Sequence, residues 1–149
     1  MRKNAKRIRE VLIDGTTVDL DGIVAVARRG APVRLSEAPP FRGRMERSRR
    51  LLLEAIKADI PVYGVNTGYG KSCGNRLKKT AVLGTAGNMM RFHGCGTGTP
   101  LGIEETRAAM LCRLLWLARG YSGVSFALLE QLAAFLNLGL TPVVPAEGS

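Results

Sequence analysis

Tyr63-Gly64-Val65-Asn66-Thr67-Gly68-Tyr69-Gly70 breaks a chain that otherwise reads as helices and short strands. Residues 63–75 hold four glycines and little hydrophobic periodicity, so this segment is a loop. Its end, Gly70-Lys71-Ser72, looks like a phosphate-binding loop, but that motif needs glycine five residues before Gly70, where Val65 stands. A dinucleotide fingerprint fails as well: Gly68 and Gly70 would need glycine at position 73, which is Cys73. What remains is a backbone built for close approach, holding Tyr63, Asn66, Thr67 and Tyr69 between its glycines.

Upstream, the apolar pattern and its stop signals predict a strand over 11–14, a helix over 19–28 stopped by Gly30, and a strand over 33–35 closed by Pro39-Pro40. An amphipathic helix over 41–58, carrying Met45, Leu52, Ala55 and Ile56 inward, ends before Pro61. Downstream, a helix over 77–92 tolerates Gly84 and Gly87, and a second glycine-rich break covers 93–100. Helices follow over 103–119, with Glu104 and Glu105 in its first turn, and over 124–138, stopped by Gly139. Both are apolar on most sides, more than a chain of 149 residues covers easily, and so are expected to dock against further protein. The last residues, 141–149, are extended and proline-bounded. The pattern is mainly α with a few short strands, in a single domain of ordinary size, with a basic and disordered stretch over 1–10.

The chain carries 22 Lys+Arg against 12 Asp+Glu, a net charge of +10. Thirteen of those basic residues lie in the first 50, without zinc-finger ligands or an aromatic RNA-binding consensus beside them, so nucleic acid is not the expected partner. The excess reads better as the unbalanced part of a larger protein. The longest apolar run, 108–118, is interrupted by Arg113 and is too short to cross a membrane. The N-terminus lacks the apolar core of a signal peptide, and Cys73, Cys95 and Cys112 form no Cys-x-x-Cys pair, so a cytoplasmic location with reduced thiols is expected.

Two side chains invite chemistry. Tyr63 reads either as a tyrosine beside a turn or as a general base, the second only if donors pull its hydroxyl below its usual pKa of about 10. His93, the sole histidine, reads as a packing or capping residue, or as one that meets a ligand; with Cys95 it offers only two metal ligands, so no metal site is expected.

The string from Tyr63 to Gly70 resembles the signature loop of the aromatic amino acid ammonia-lyases, which include histidine, phenylalanine and tyrosine lyases and related aminomutases. Other stretches, in the family's order, extend the resemblance over nearly the whole chain. Leu20-Asp-Gly-Ile-Val-Ala-Val-Ala-Arg28 is similar to the first helix, and His93-Gly-Cys-Gly-Thr-Gly98 to the substrate-selectivity segment. Arg119-Gly-Tyr-Ser-Gly123 is similar to the family's Arg-Gly-x-Ser-Gly turn, and Pro142-Val-Val-Pro-Ala-Glu-Gly-Ser149 to the run leading into the family's Ala-Ser-Gly.

The resemblance implies the N-terminal domain of the ammonia-lyase, fumarase/aspartase-like fold. It also implies elimination of ammonia from an amino acid to give an α,β-unsaturated acid, in a homotetramer whose active sites are shared between chains. By position, Tyr63 matches the base, with donor amides and buried positive potential expected around its hydroxyl. Gly64, Asn66, Gly68 and Gly70 match the residues that position the loop. His93 matches the substrate-side histidine of histidine lyases. Phe92 takes the selectivity position where tyrosine lyases carry histidine, which argues against tyrosine as substrate. The implied electrophile, 4-methylidene-imidazol-5-one, forms from an Ala-Ser-Gly that this sequence does not contain and that is expected beyond residue 149, so the chain is expected to be inactive alone. An aminomutase, or a non-catalytic binding domain that kept the fold, are the alternative readings.

Overall fold

The strand Val33–Leu35 is only three residues long, and a helix packs against it. The computed structural model describes residues 10–77, 84, 87–91 and 93–148, which form two compact units. The first takes the chain up to Arg49 together with Pro100–Val144, and the second takes Arg50–Thr99 and the chain from Pro145. Of the stretch 1–10, only Glu10 lies within the described residues.

In the first unit β1 (Val11–Ile13) and β2 (Val33–Leu35) pair in parallel, Val11 opposite Val33 and Ile13 opposite Leu35. Parallel strands need a crossover, and α1 (Leu20–Arg29) supplies it. Asp19, read as the first helical residue, is instead the cap: its carboxylate accepts from the Gly22 N–H at 2.8 Å, satisfying an amide with no helical partner. Gly22, Ala25 and Val26 recur at three- and four-residue spacing on the buried face. Gly30 ends the helix in the left-handed conformation, and the Ala31 N–H returns to the Ala25 carbonyl at 3.0 Å.

Helix α2 (Pro39–Lys57) corrects the sequence reading, which took Pro39-Pro40 as a stop. The two prolines form its first turn instead, where the amide they lack would have no partner anyway. Phe41 and Met45 bury the early part of α2 in the first unit. Helix α3 (Ile103–Ala118) ends one residue before the predicted limit, with Arg119 as its cap, and α4 (Phe126–Leu138) starts later than predicted because Ser125 is the N-cap. α1 packs on α3, α3 on α4, and α4 on β2, around a core of Ile13, Val26, Val33, Leu111, Leu114 and Leu129. Ile103 and Trp116 of α3 and Leu128, Phe135 and Leu138 of α4 stay exposed, so neither helix is covered on all its apolar sides.

The second unit holds the rest of α2, the glycine loop, and a two-stranded sheet of β3 (Thr97–Pro100) and β4 (Pro145–Glu147). β3 replaces part of the predicted irregular break. The helix predicted over 77–92 is found at residues 84 and 87–91, and His93 is helical too. Leu77 is not helical, because its N–H donates to the Asn66 carbonyl at 3.0 Å. The other predicted positions of that helix, Phe92 among them, lie outside the described residues. Among the described residues no helix is long and apolar enough to cross a membrane.

Candidate active site

The site begins where α2 stops. Asp59 takes a left-handed φ of 57°, its N–H returns to the Ile56 carbonyl at 3.2 Å, and the Ile60 N–H returns to the Ala55 carbonyl at 2.9 Å. That pattern closes a helix and is usually made with glycine. Here Asp59 is held by Arg76, whose guanidinium meets its carboxylate at 2.8 Å and also donates to its backbone carbonyl. Pro61 then blocks any further helical turn.

Asn66 and Thr67 fold the next residues inward. Asn66 is buried, accepting from the Val62 N–H at 2.7 Å and donating to the Ile60 carbonyl at 2.8 Å. Thr67, equally buried, accepts from the Gly64 N–H at 3.2 Å and donates to the Gly68 carbonyl at 3.0 Å. A short antiparallel closure pairs Thr67 with Arg76, and the Gly68 N–H reaches the Asn75 carbonyl at 2.9 Å. Between these two arms the chain makes one turn of 3₁₀-helix, Gly70–Ser72. A Cβ on Gly68 would lie 2.4 Å from the Ser72 carbonyl oxygen, so the turn folds only over a glycine.

On this base the two loop tyrosines are crossed. The Tyr63 hydroxyl accepts from the Gly70 N–H at 3.1 Å, while the Tyr69 hydroxyl donates to the Gly64 carbonyl at 3.2 Å. Each thus bonds to the backbone of the residue following the other. Their rings meet edge to face, 6.4 Å between centroids at 83°. The Tyr69 ring also lies 6.5 Å from that of His93. Tyr63 itself is 65% exposed and meets one backbone amide, a more open setting than the several donors and buried potential expected from the sequence.

Of the sequence-predicted residues, Tyr63, Gly64, Asn66, Gly68 and Gly70 share one loop, and His93 joins them through Tyr69. Phe92 lies outside the described residues. Tyr69 stands among the residues held between the loop glycines, but the sequence assigns it no role; Arg76 carries no local signal, because its partner Asp59 is seventeen residues away. Among the described residues no three His, Cys, Asp or Glu side chains gather to hold a metal ion.

A profile of the aromatic amino acid lyase family matches residues 18–149. The chain belongs to this family. It is similar to the histidine ammonia-lyase of Symbiobacterium thermophilum, 42% identical over 135 residues, which span 91% of this chain and 26% of that one. The histidine ammonia-lyase of Myxococcus xanthus is 41% identical over 139 residues, 93% of this chain and 27% of its own. Among solved structures, the tyrosine aminomutase of Streptomyces globisporus is 34% identical with a TM-score of 0.87, covering 94% of this chain and 26% of that one. This aromatic amino acid lyase chain therefore spans about a quarter of the length of the relatives it matches, and its mainly helical fold is the one it shares with lyase and aminomutase structures.

Proposed function

We propose that this chain supplies the proton-accepting side of the active site of a histidine ammonia-lyase-like enzyme. That enzyme releases ammonia from histidine or a related aromatic amino acid and leaves an α,β-unsaturated acid. The observation that carries the reading is the Tyr63 hydroxyl, which belongs to an exposed side chain on a hydrogen-bonded loop and is held at its oxygen by the Gly70 N–H.

With its oxygen accepting from the Gly70 N–H, the Tyr63 side chain is held at its tip. As phenolate, Tyr63 takes the β-proton; the C–H electron pair becomes the second bond between the α and β carbons, and the amino group leaves with the C–N pair. The Gly70 amide can donate to that oxygen in either protonation state, which costs no reorganisation during transfer. His93 binds the substrate from the other side of Tyr69, Phe92 is assigned to substrate selectivity by its place in the sequence alone, and Gly64, Asn66, Gly68 and Gly70 keep the loop in place. Leaving-group activation is the chemistry that 4-methylidene-imidazol-5-one supplies in this family. The sequence holds no Ala-Ser-Gly to form it, so no residue of this chain fits as its source.

Assembly into a homotetramer in the cytoplasm belongs to the same proposal, supported by the apolar side chains that α3 and α4 leave exposed. An aminomutase is the second reading, favoured by the close fold match to a tyrosine aminomutase. The test is to assay the full-length protein with histidine, phenylalanine and tyrosine, following ammonia and ultraviolet absorbance. Ammonia with an unsaturated acid supports the lyase, and a β-amino acid supports the mutase. No reaction with any of the three would leave a binding domain that kept the fold.

A further inference from the structure

Tyr69 has no part in the proton transfer described above, yet it touches both residues proposed to flank the substrate. Its hydroxyl donates to the carbonyl of Gly64, the residue that directly follows Tyr63, and its ring meets that of Tyr63 edge to face. The same ring lies beside His93, tilted by 49°. The geometry assigns Tyr69 a positioning role: it fixes the Tyr63 hydroxyl and the His93 imidazole relative to each other. This rests on the reading of Tyr63 as proton acceptor and adds the means by which that acceptor is aimed.

Two features make the crossed pair better suited to aiming than to stability. Both hydrogen bonds are neutral and long, 3.1 and 3.2 Å, and Tyr63 is mostly exposed, so together they add little to folding. Their effect is geometric. A side chain with two rotatable bonds is pinned at its tip by Gly70 and along its edge by Tyr69, which removes the swing an exposed tyrosine would otherwise have. Gly64 and Gly70 lie six residues apart, so neither bond can shift without moving the turn that carries the other.

The test compares Tyr69→Phe, which keeps the ring and loses the hydroxyl, with Tyr69→Leu, which loses both. In the full-length lyase, Tyr69→Phe is expected to lower kcat roughly five- to tenfold, about the size of one neutral hydrogen bond, with KM nearly unchanged. Tyr69→Leu should lower it further. The second readout needs no activity. In the same full-length protein, the Hε1 signal of His93, assigned in proton NMR by its loss in His93→Gln, reports on the surroundings of the imidazole. Tyr69→Leu should move that signal by removing a ring current, Tyr69→Phe should leave it, and Tyr69→Phe should shift the Tyr63 Cζ resonance. Wild-type kcat in Tyr69→Phe with an unmoved Tyr63 resonance overturns the positioning role alone. Full turnover by Tyr63→Phe overturns the proton-acceptor reading on which it rests.

Discussion

Asn137 holds Val33 by both of its backbone groups: its Oδ1 accepts from the Val33 N–H and its Nδ2 donates to the Val33 carbonyl, each at 2.8 Å. A side-chain amide at the end of α4 thereby completes the outer edge of β2 as another strand would, on a sheet too small to satisfy itself. Val33 is almost fully buried, so water is a poor substitute for either bond. Asn137→Ala is expected to lower stability by about 1–3 kcal/mol. Urea unfolding measures it, and an unchanged midpoint would mean that the sheet edge is satisfied by solvent.

Arg107 ties two helix ends together. Buried in the first unit, it donates to the Val26 carbonyl near the end of α1, at 2.9 Å from Nη2 and 3.3 Å from Nε, and to the Leu136 carbonyl near the end of α4 at 3.0 Å. Carbonyls in a helix's last turn have no helical donor, and the dipole there favours a cation. Arg107→Met should cost about 3 kcal/mol, since it strands the Val26 carbonyl and leaves Leu136 only the long bond from the Gly139 N–H at 3.4 Å. Arg107→Lys should fall between, because an ammonium cannot fork to two acceptors as a guanidinium does. A thermal midpoint of Arg107→Lys equal to that of the wild type would show that charge, not the fork, is what the site needs.

Gly68 and Gly70 are two residues apart but should respond differently to alanine. A Cβ at Gly68 would collide with the Ser72 carbonyl oxygen at 2.4 Å and the Ser72 Cβ at 2.9 Å, so the turn must open. At Gly70 nothing lies within 4 Å, and the cost is only that of a left-handed φ of 54°, about 1 kcal/mol. Amide hydrogen exchange of residues 66–77 should rise strongly in Gly68→Ala and little in Gly70→Ala.

Asp14 makes the first unit sensitive to acid. The Thr16 hydroxyl and N–H donate to its carboxylate at 2.6 and 2.9 Å, the hydroxyl having the larger effect, and hold its pKa below the ordinary 3.8. A group whose pKa is depressed on folding contributes fully above its unfolded value and loses that contribution as pH falls through the folded one. Urea midpoints of the wild type should therefore decline between about pH 4 and 2, and part of that decline should be absent in Asp14→Asn. Parallel curves would remove Asp14 as a cause.

Most of the fold was legible in the sequence because its signals are local. Gly30 and Gly139 stop α1 and α4 where they were read, and Val33–Leu35 is a strand as its alternation implied. The errors came from partners distant in the chain. β3 pairs with β4 some 45 residues on, and no local pattern distinguishes Thr97–Pro100 from any other glycine-rich turn. Pro39-Pro40 fits both a stop and a start, and only the burial of Phe41 and Met45 decides for a start. At the site, the glycines marked the loop, but the crossing of Tyr63 and Tyr69 follows from where Thr67 and Arg76 close it, which spacing alone does not encode.

The central claim is that Tyr63 accepts the substrate's β-proton. Tyr63→Phe in the full-length protein removes only the hydroxyl oxygen and leaves the ring against Tyr69, so the loop should keep its fold. With a reactive amino acid supplied, ammonia release should fall by at least about a thousandfold while circular dichroism and thermal midpoint stay at wild-type values. A folded Tyr63→Phe protein that releases ammonia within about tenfold of the wild-type rate would contradict the claim.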